Sequence, residues 1–240
     1  MNLRKPEKPS RREFLVAVGA GVGTIAVGQA PQQIAQVGVK KATIRFTAQI
    51  TSHSMGLLMN ACTAQASKGV TQILLQISSN GGILDQALTA YNVLRAQRSV
   101  TFSTYNIAVV DSAAVVLFSL GAHGHRFSVP LGRFLLHSPF VPVMLSEFRV
   151  QNADAVSSVL KQQSDALNAI IHFTTGRPIP EIESWMQQGV AWEPTKAVAN
   201  GLLEMDGVSE AIPVEGDLIT ISDDSTPNQQ IVVIPPPGIN

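Results

Sequence analysis

Two residues in this chain sit where their types could do chemistry together. Ser112 follows a β-branched run, Ile107 to Val110, and an aspartate; His137 follows a second apolar run, Phe134 to Leu136, and Pro139 bars its continuation. Ala113 to Leu120 is apolar and reads as a short buried helix, closed by Gly121 at a C-cap. Ser112 is therefore expected at a strand-to-helix turn, its hydroxyl held out of the core beside a helix N-terminus that favours developing negative charge. A serine and a histidine at adjacent strand ends supply what nucleophilic acyl transfer needs: a weak nucleophile and a base that titrates near neutrality. The plainer alternative is a serine N-cap and a hydrogen-bonded loop histidine.

A third feature fits the first reading. The turn Ser78-Ser79-Asn80-Gly81-Gly82 lies between an apolar strand and a helical pattern. Paired glycines let backbone N–H groups face outward with no Cβ in the way, as an oxyanion hole requires, although most such pairs merely permit positive φ. No Walker or dinucleotide glycine pattern is present, so phosphate cradling is not expected.

The elements that must position these residues follow one another in α/β order. Ala42 to Thr47 and Val70 to Ile77 read as strands, Met55 to Ala66 and Ile83 to Leu94 as helices, and Val100 to Tyr105 as a strand leading into Ile107 to Val110. Phe140 to Val150 is strand-like and apolar, an exposed or oligomer-facing ribbon. Asn152 can cap a long helix carrying Val156, Val159, Leu160, Leu167, Ile170 and Ile171, with His172 at its end. A shorter helix holds Ile182, Trp185 and Met186, and Ala197 to Leu203 ends the compact part. Beyond Val208 only one short hairpin-like piece is expected, and Ile231 to Gly238 reads as a tail.

Composition narrows the function classes. Lysine plus arginine and aspartate plus glutamate both number 17, so no nucleic-acid partner is indicated. A single cysteine, Cys62, excludes an internal disulfide and a zinc site built on several thiolates. Residues 1–30 divide into a basic leader (Arg4, Lys5, Lys8, Arg11, Arg12) and an apolar stretch, Phe14 to Val27, broken by Gly19, Gly21 and Gly23. That stretch is a poor membrane span. Ser10-Arg11-Arg12-Glu13-Phe14-Leu15 resembles the twin-arginine export signal, and Gly28-Gln29-Ala30 offers a cleavage site. The resemblance implies a signal peptide over 1–30, a linker over 31–41, and export of the folded protein to the periplasm or cell envelope. A disordered basic tail or an uncleaved amphipathic anchor is the alternative.

The order of the remaining pieces resembles the proteolytic subunit of the Clp protease (ClpP) over residues 42–208. The pieces that carry the likeness are Phe46-Thr-Ala-Gln-Ile50, Ile77-Ser-Ser-Asn-Gly81-Gly82, Ser112 with its apolar helix, Gly121-Ala-His-Gly-His-Arg126-Phe127, and Phe134-Leu-Leu-His137-Ser-Pro139. The resemblance implies a crotonase-like α/β superhelix of ββα units with a protruding long helix, assembling into homo-oligomeric rings. It makes Ser112 the nucleophile and His137 the general base, with oxyanion-hole N–H groups from Gly82 and Ala113. Asn152 to Ile171 would occupy the ring-to-ring handle, and residues 209–240 would be an extension.

Two departures stand out. The family's Ser-Pro-Gly-Gly is Ser79-Asn80-Gly81-Gly82 here, and alignment on Pro194 puts Gln188 where the family carries its triad aspartate. An amide can hold an imidazole tautomer but cannot stabilise an imidazolium as a carboxylate does; Glu183 and Glu193 are the substitutes if the alignment slips. The expected function is a serine endopeptidase of weakened activity acting on peptides or unfolded proteins, without metal or cofactor. The alternative is a catalytically inactive ring or scaffold protein. A Ser-Lys dyad would call on Lys161, which lies on the polar side of its helix, and acyl-CoA chemistry on the same fold is disfavoured by the Ser112–His137 pairing. An exported copy meets no ATP, which leaves an ATPase partner without a role.

Overall fold

The chain's β-branched runs and the helical patterns between them become a parallel sheet with crossover helices, as sequences of this alternation must to bury both faces of each strand. A computed structural model describes residues 39–140 and 153–223, all within the unit Gly38–Asn240. The expected leader and linker over 1–38, the ribbon 141–150, the Asn152 cap and the tail 224–240 lie outside the described residues.

Strand β1 (Lys41–Thr47) leads to helix α1 (Ser52–Ser67), β2 (Gln72–Ser79), α2 (Leu84–Arg95) and β3 (Thr101–Asp111). The turn at Ile50 to Ser54 is a capping box: Thr51 Oγ1 accepts from the Ser54 N–H, and Ser54 Oγ accepts from the Thr51 N–H. β2 is buried along most of its length, as its run Ile73 to Ile77 requires. After β3 come α3 (Ala114–Phe118), β4 (Arg126–Ser128), β5 (Arg133–Leu136), α4 (Ala153–Thr175), α5 (Ile179–Gln188), β6 (Val190–Trp192), α6 (Pro194–Ala199) and β7 (Asp217–Ser222).

The sheet runs β6-β5-β3-β2-β1-β7, with β4 also pairing β3. All pairs are parallel except β5 with β6, where Leu136 opposes Val190. β3 holds the centre. Its first half pairs β2 and β4; after Asn106 the register slips, and Val109 to Asp111 pair with β5. Buried Asn106 steadies that jog: its Oδ1 accepts from the Ala108 N–H and its Nδ2 donates to the Arg133 carbonyl, both at 3.0 Å.

Two expectations need correction. Gly121 is not a left-handed C-cap: α3 ends at Ser119, and glycine is needed at 121 because a Cβ would run into Thr104 Oγ1 and, at 2.7 Å, Arg126 Cγ. The segment beyond Val208 makes no hairpin. Instead β7 joins the main sheet parallel to β1 and buries Ile219 and Ile221, so the sheet runs on to residue 222. Its partner lies 175 residues earlier (Ala42 opposite Asp217), and local patterning carries no sign of such a pairing.

Among the described residues no helix is long and apolar enough to cross a membrane, and no group of three or more His, Cys, Asp or Glu is placed to hold a metal ion.

Candidate active site

Ser112 is the only non-glycine residue with positive φ among the described ones, at +56°. A side chain in that region is strained, and such strain persists where the surroundings over-determine it. They do so here. The Ser112 N–H donates to the Leu135 carbonyl of β5 at 2.8 Å, and its carbonyl accepts from Val115 as α3 begins. Ser112 thus stands at a sharp strand-to-helix elbow, partly exposed, between a buried strand end and a buried helix.

The elbow fits because Gly81 lies against it. A Cβ on Gly81 would fall 2.7 Å from the Asp111 carbonyl oxygen, 2.8 Å from Ser112 Cβ and 3.0 Å from the Ala113 nitrogen. Gly81 and Gly82 both have positive φ, and a Cβ on Gly82 would collide with the backbone of Ile50. The turn is held by Ser79, whose Oγ donates to the Ala48 carbonyl at 2.7 Å and accepts from the Gly81 N–H. The N–H groups of Gly82 and Ala113 donate to no acceptor among the described residues. They are the two donors expected to face a developing oxyanion.

His137 follows β5. It lines, with Ser112, Ala113, Ile83, Leu84, Pro139, Phe140, Gln163 and Leu167, a mainly apolar cleft of about 220 Å³. The strands bearing serine and histidine are locked together beside that cleft by Arg133, whose guanidinium donates two hydrogen bonds to the Asp111 carboxylate. Asp111 is buried, while Arg133 is half exposed. The carboxylate holds the Arg133 guanidinium above its ordinary pKa, by hydrogen bonding first and charge second.

Among the described residues, Phe140 and Ser138 contact the imidazole. Phe140 packs on it with ring centres 5.8 Å apart, and Nδ1 lies 2.8 Å from the carbonyl oxygen of Ser138. The Gln188 amide nitrogen donates to Ser184 Oγ at 2.7 Å, one turn back along α5. Glu193 accepts from Thr195, and Glu183 lines a neighbouring cleft with Ser138, Lys161, Asp165 and Asn168. Lys161 is exposed and paired with Asp165 at 2.7 Å, which raises its pKa, and no lysine is among the described residues that line the cleft at Ser112. Ser112, His137, Gly82 and Ala113 come together around one turn and one cleft; the Gln188 side chain makes its hydrogen bond elsewhere.

Sequence reasoning missed Gly81 as the residue seating the elbow, the Asp111–Arg133 lock, and the Ser138 carbonyl. Opposite charges at the ends of neighbouring strands were the available signal for the lock. A backbone acceptor leaves no mark in a sequence.

The family described as Clp protease matches residues 20–210. The ATP-dependent Clp protease proteolytic subunit 2 of Borreliella burgdorferi is 33% identical over 113 residues, 46% of this chain. That alignment spans 54% of the relative, about half its length. Among solved structures, a ClpP1 N165D mutant from Listeria monocytogenes superposes with a TM-score of 0.62 at 16% identity, covering 70% of this chain and 91% of that one. The fold is the crotonase-like α/β fold expected from the order of the motifs.

Proposed function

The chain belongs to the Clp protease family, and on that premise we propose that it is a serine endopeptidase in which Ser112 is the nucleophile and His137 the general base. The observation that carries this reading is the strained elbow at Ser112, tied to the strand that delivers His137 into the same cleft.

In the proposed reaction Ser112 Oγ attacks the scissile carbonyl as His137 Nε2 takes its proton. The oxyanion is met by the N–H groups of Gly82 and Ala113. Collapse of the tetrahedral species breaks the C–N bond, and the imidazolium gives its proton to the leaving amine. Water, deprotonated by the same imidazole, then releases the acyl group from Ser112. The cleft walls, Ile83, Leu84, Pro139, Phe140 and Leu167, suit an apolar side chain next to the scissile bond.

Further readings belong to this proposal. The N-terminal half of α4 carries Val156, Val159 and Leu160, and none of them is buried within the chain. A second copy is the natural cover for that face, in a homo-oligomeric ring. Residues 1–30 act as a twin-arginine signal, so the substrates are peptides or unfolded chains that diffuse in without an ATPase.

The test is hydrolysis of fluorogenic peptides that differ only in the residue before the scissile bond. Apolar side chains should be cleaved fastest, and Ser112→Ala should abolish turnover. Turnover that survives Ser112→Ala would remove the assignment.

A further inference from the structure

The proposed reaction needs His137 with its proton on Nδ1, leaving the Nε2 lone pair toward Ser112. In serine peptidases a buried carboxylate holds that tautomer, and the Gln188 side chain is hydrogen-bonded elsewhere. The geometry points to the Ser138 carbonyl as the group that does this work, with Pro139 as the residue that positions it. This rests on the reading of His137 as the base.

The chemistry of the contact decides the proton's place. A carbonyl oxygen can only accept, so the 2.8 Å approach of His137 Nδ1 to it is a hydrogen bond only if Nδ1 carries the hydrogen. The carbonyl belongs to the Ser138–Pro139 bond. A residue before proline is confined to extended ψ, because the ring Cδ excludes the helical region, and this restricts where the oxygen can point. The other end of Ser138 is pinned as well: its N–H donates to the Met186 carbonyl of α5 at 2.9 Å. Gly189, the left-handed C-cap of α5 at φ +65°, lies next to His137 without crowding it. Phe140 then covers the ring. The imidazole is thus oriented by a neutral dipole, which fixes the tautomer without the charge a carboxylate supplies to an imidazolium. Slow acylation by a correctly oriented base is the consequence.

The experiment reads tautomer and acylation separately. Full-length protein carrying ¹⁵N-imidazole histidine is examined by solid-state ¹⁵N NMR, the His137 signal being assigned with His137→Gln. Acylation is followed with a fluorophosphonate probe, resolving its binding constant KI from kinact. The expected wild-type signal is the Nδ1–H tautomer. Pro139→Gly, which frees the carbonyl without removing it, should shift the signal toward Nε2–H. It should also lower kinact about tenfold, a part of the roughly 10²–10⁴-fold that a positioned base contributes, with KI little changed. Pro139→Ala, which keeps more backbone restriction than glycine, serves if the glycine variant fails to fold. An Nε2–H tautomer in the wild type would overturn the assignment. So would an unchanged tautomer in both Pro139 variants, a gain in kinact from Gln188→Asp, or a loss of the Nδ1–H signal in Glu183→Gln. Absence of labelling in the wild type would sink the peptidase reading, while the tautomer signal would still decide the role of Ser138.

Discussion

Gly81 and Ser112 depend on each other. One adopts φ +87° and the other +56°, and the space for a Cβ on the glycine is already filled by the serine elbow. Gly81→Ala should therefore force the elbow to move or the turn to unwind. The expected loss is about 1–3 kcal/mol from backbone strain alone, seen as a lower midpoint in urea and a fall in probe labelling. Cys62 makes a simpler case. Burial pushes its thiol up to about 12, so it stays protonated through neutral pH, enclosed in the core. Iodoacetamide should leave it unmodified in the native protein and alkylate it once urea unfolds the chain; rapid native alkylation would mean that α1 is not packed as described. The residues of the candidate site were legible because their signals are local: a serine after a strand, a histidine after a strand, and a glycine pair in a turn. Gln188 shows the limit of that method: counting back from Pro194 gives a position in the chain but not the hydrogen bond that its amide makes to Ser184 on α5.

The central strand β3 does two jobs, and its change of partner makes the site possible. Asn106 holds the jog, and Asp111 with Arg133 ties the serine strand to the histidine strand. Arg133→Met would leave the buried Asp111 carboxylate without its donors. A charged group stranded in this way costs about 1–3 kcal/mol or more. The double variant Asp111→Ala/Arg133→Met should recover part of that loss, because it removes the stranded charge too. Urea denaturation of both variants checks the cycle, and equal stability of wild type and Arg133→Met would show that the pair contributes nothing. At this scale the order β1-α1-β2-α2-β3, with α3, β5, α4 and α5 after it, was readable from periodicity, whereas the three-residue strands β4 and β6 were not. The jog in β3 and the pairing of β7 with β1 were not, because register and long-range pairing depend on partners far away in the chain. Gly121 misled for a related reason: a glycine after a helix suggests a left-handed cap, whereas here it makes room for the Thr104 and Arg126 side chains.

At the scale of the whole molecule, α4 is 23 residues long, and its buried positions Leu167, Asn168, Ile171 and Thr174 all lie in its C-terminal half. The other half carries Val159, 46% exposed, on a face that the described residues leave uncovered. If a second copy supplies the cover, Val159→Glu should shift the assembly toward monomers by light scattering at micromolar concentration, with the fold intact by circular dichroism. A wild-type monomer would contradict the ring. Export is tested apart from assembly. Residues 1–40 fused to a folded reporter should carry it out of the cytoplasm, and Arg11→Lys with Arg12→Lys should retain it there.

The central claim is that Ser112 is an activated nucleophile, and mapping a fluorophosphonate adduct by mass spectrometry tests it most directly. The account predicts an adduct on the peptide containing Ser112, formed slowly in the wild type, absent in Ser112→Ala and strongly reduced in His137→Ala. An assembled, folded wild type that carries no adduct, or carries it on another serine, would contradict it.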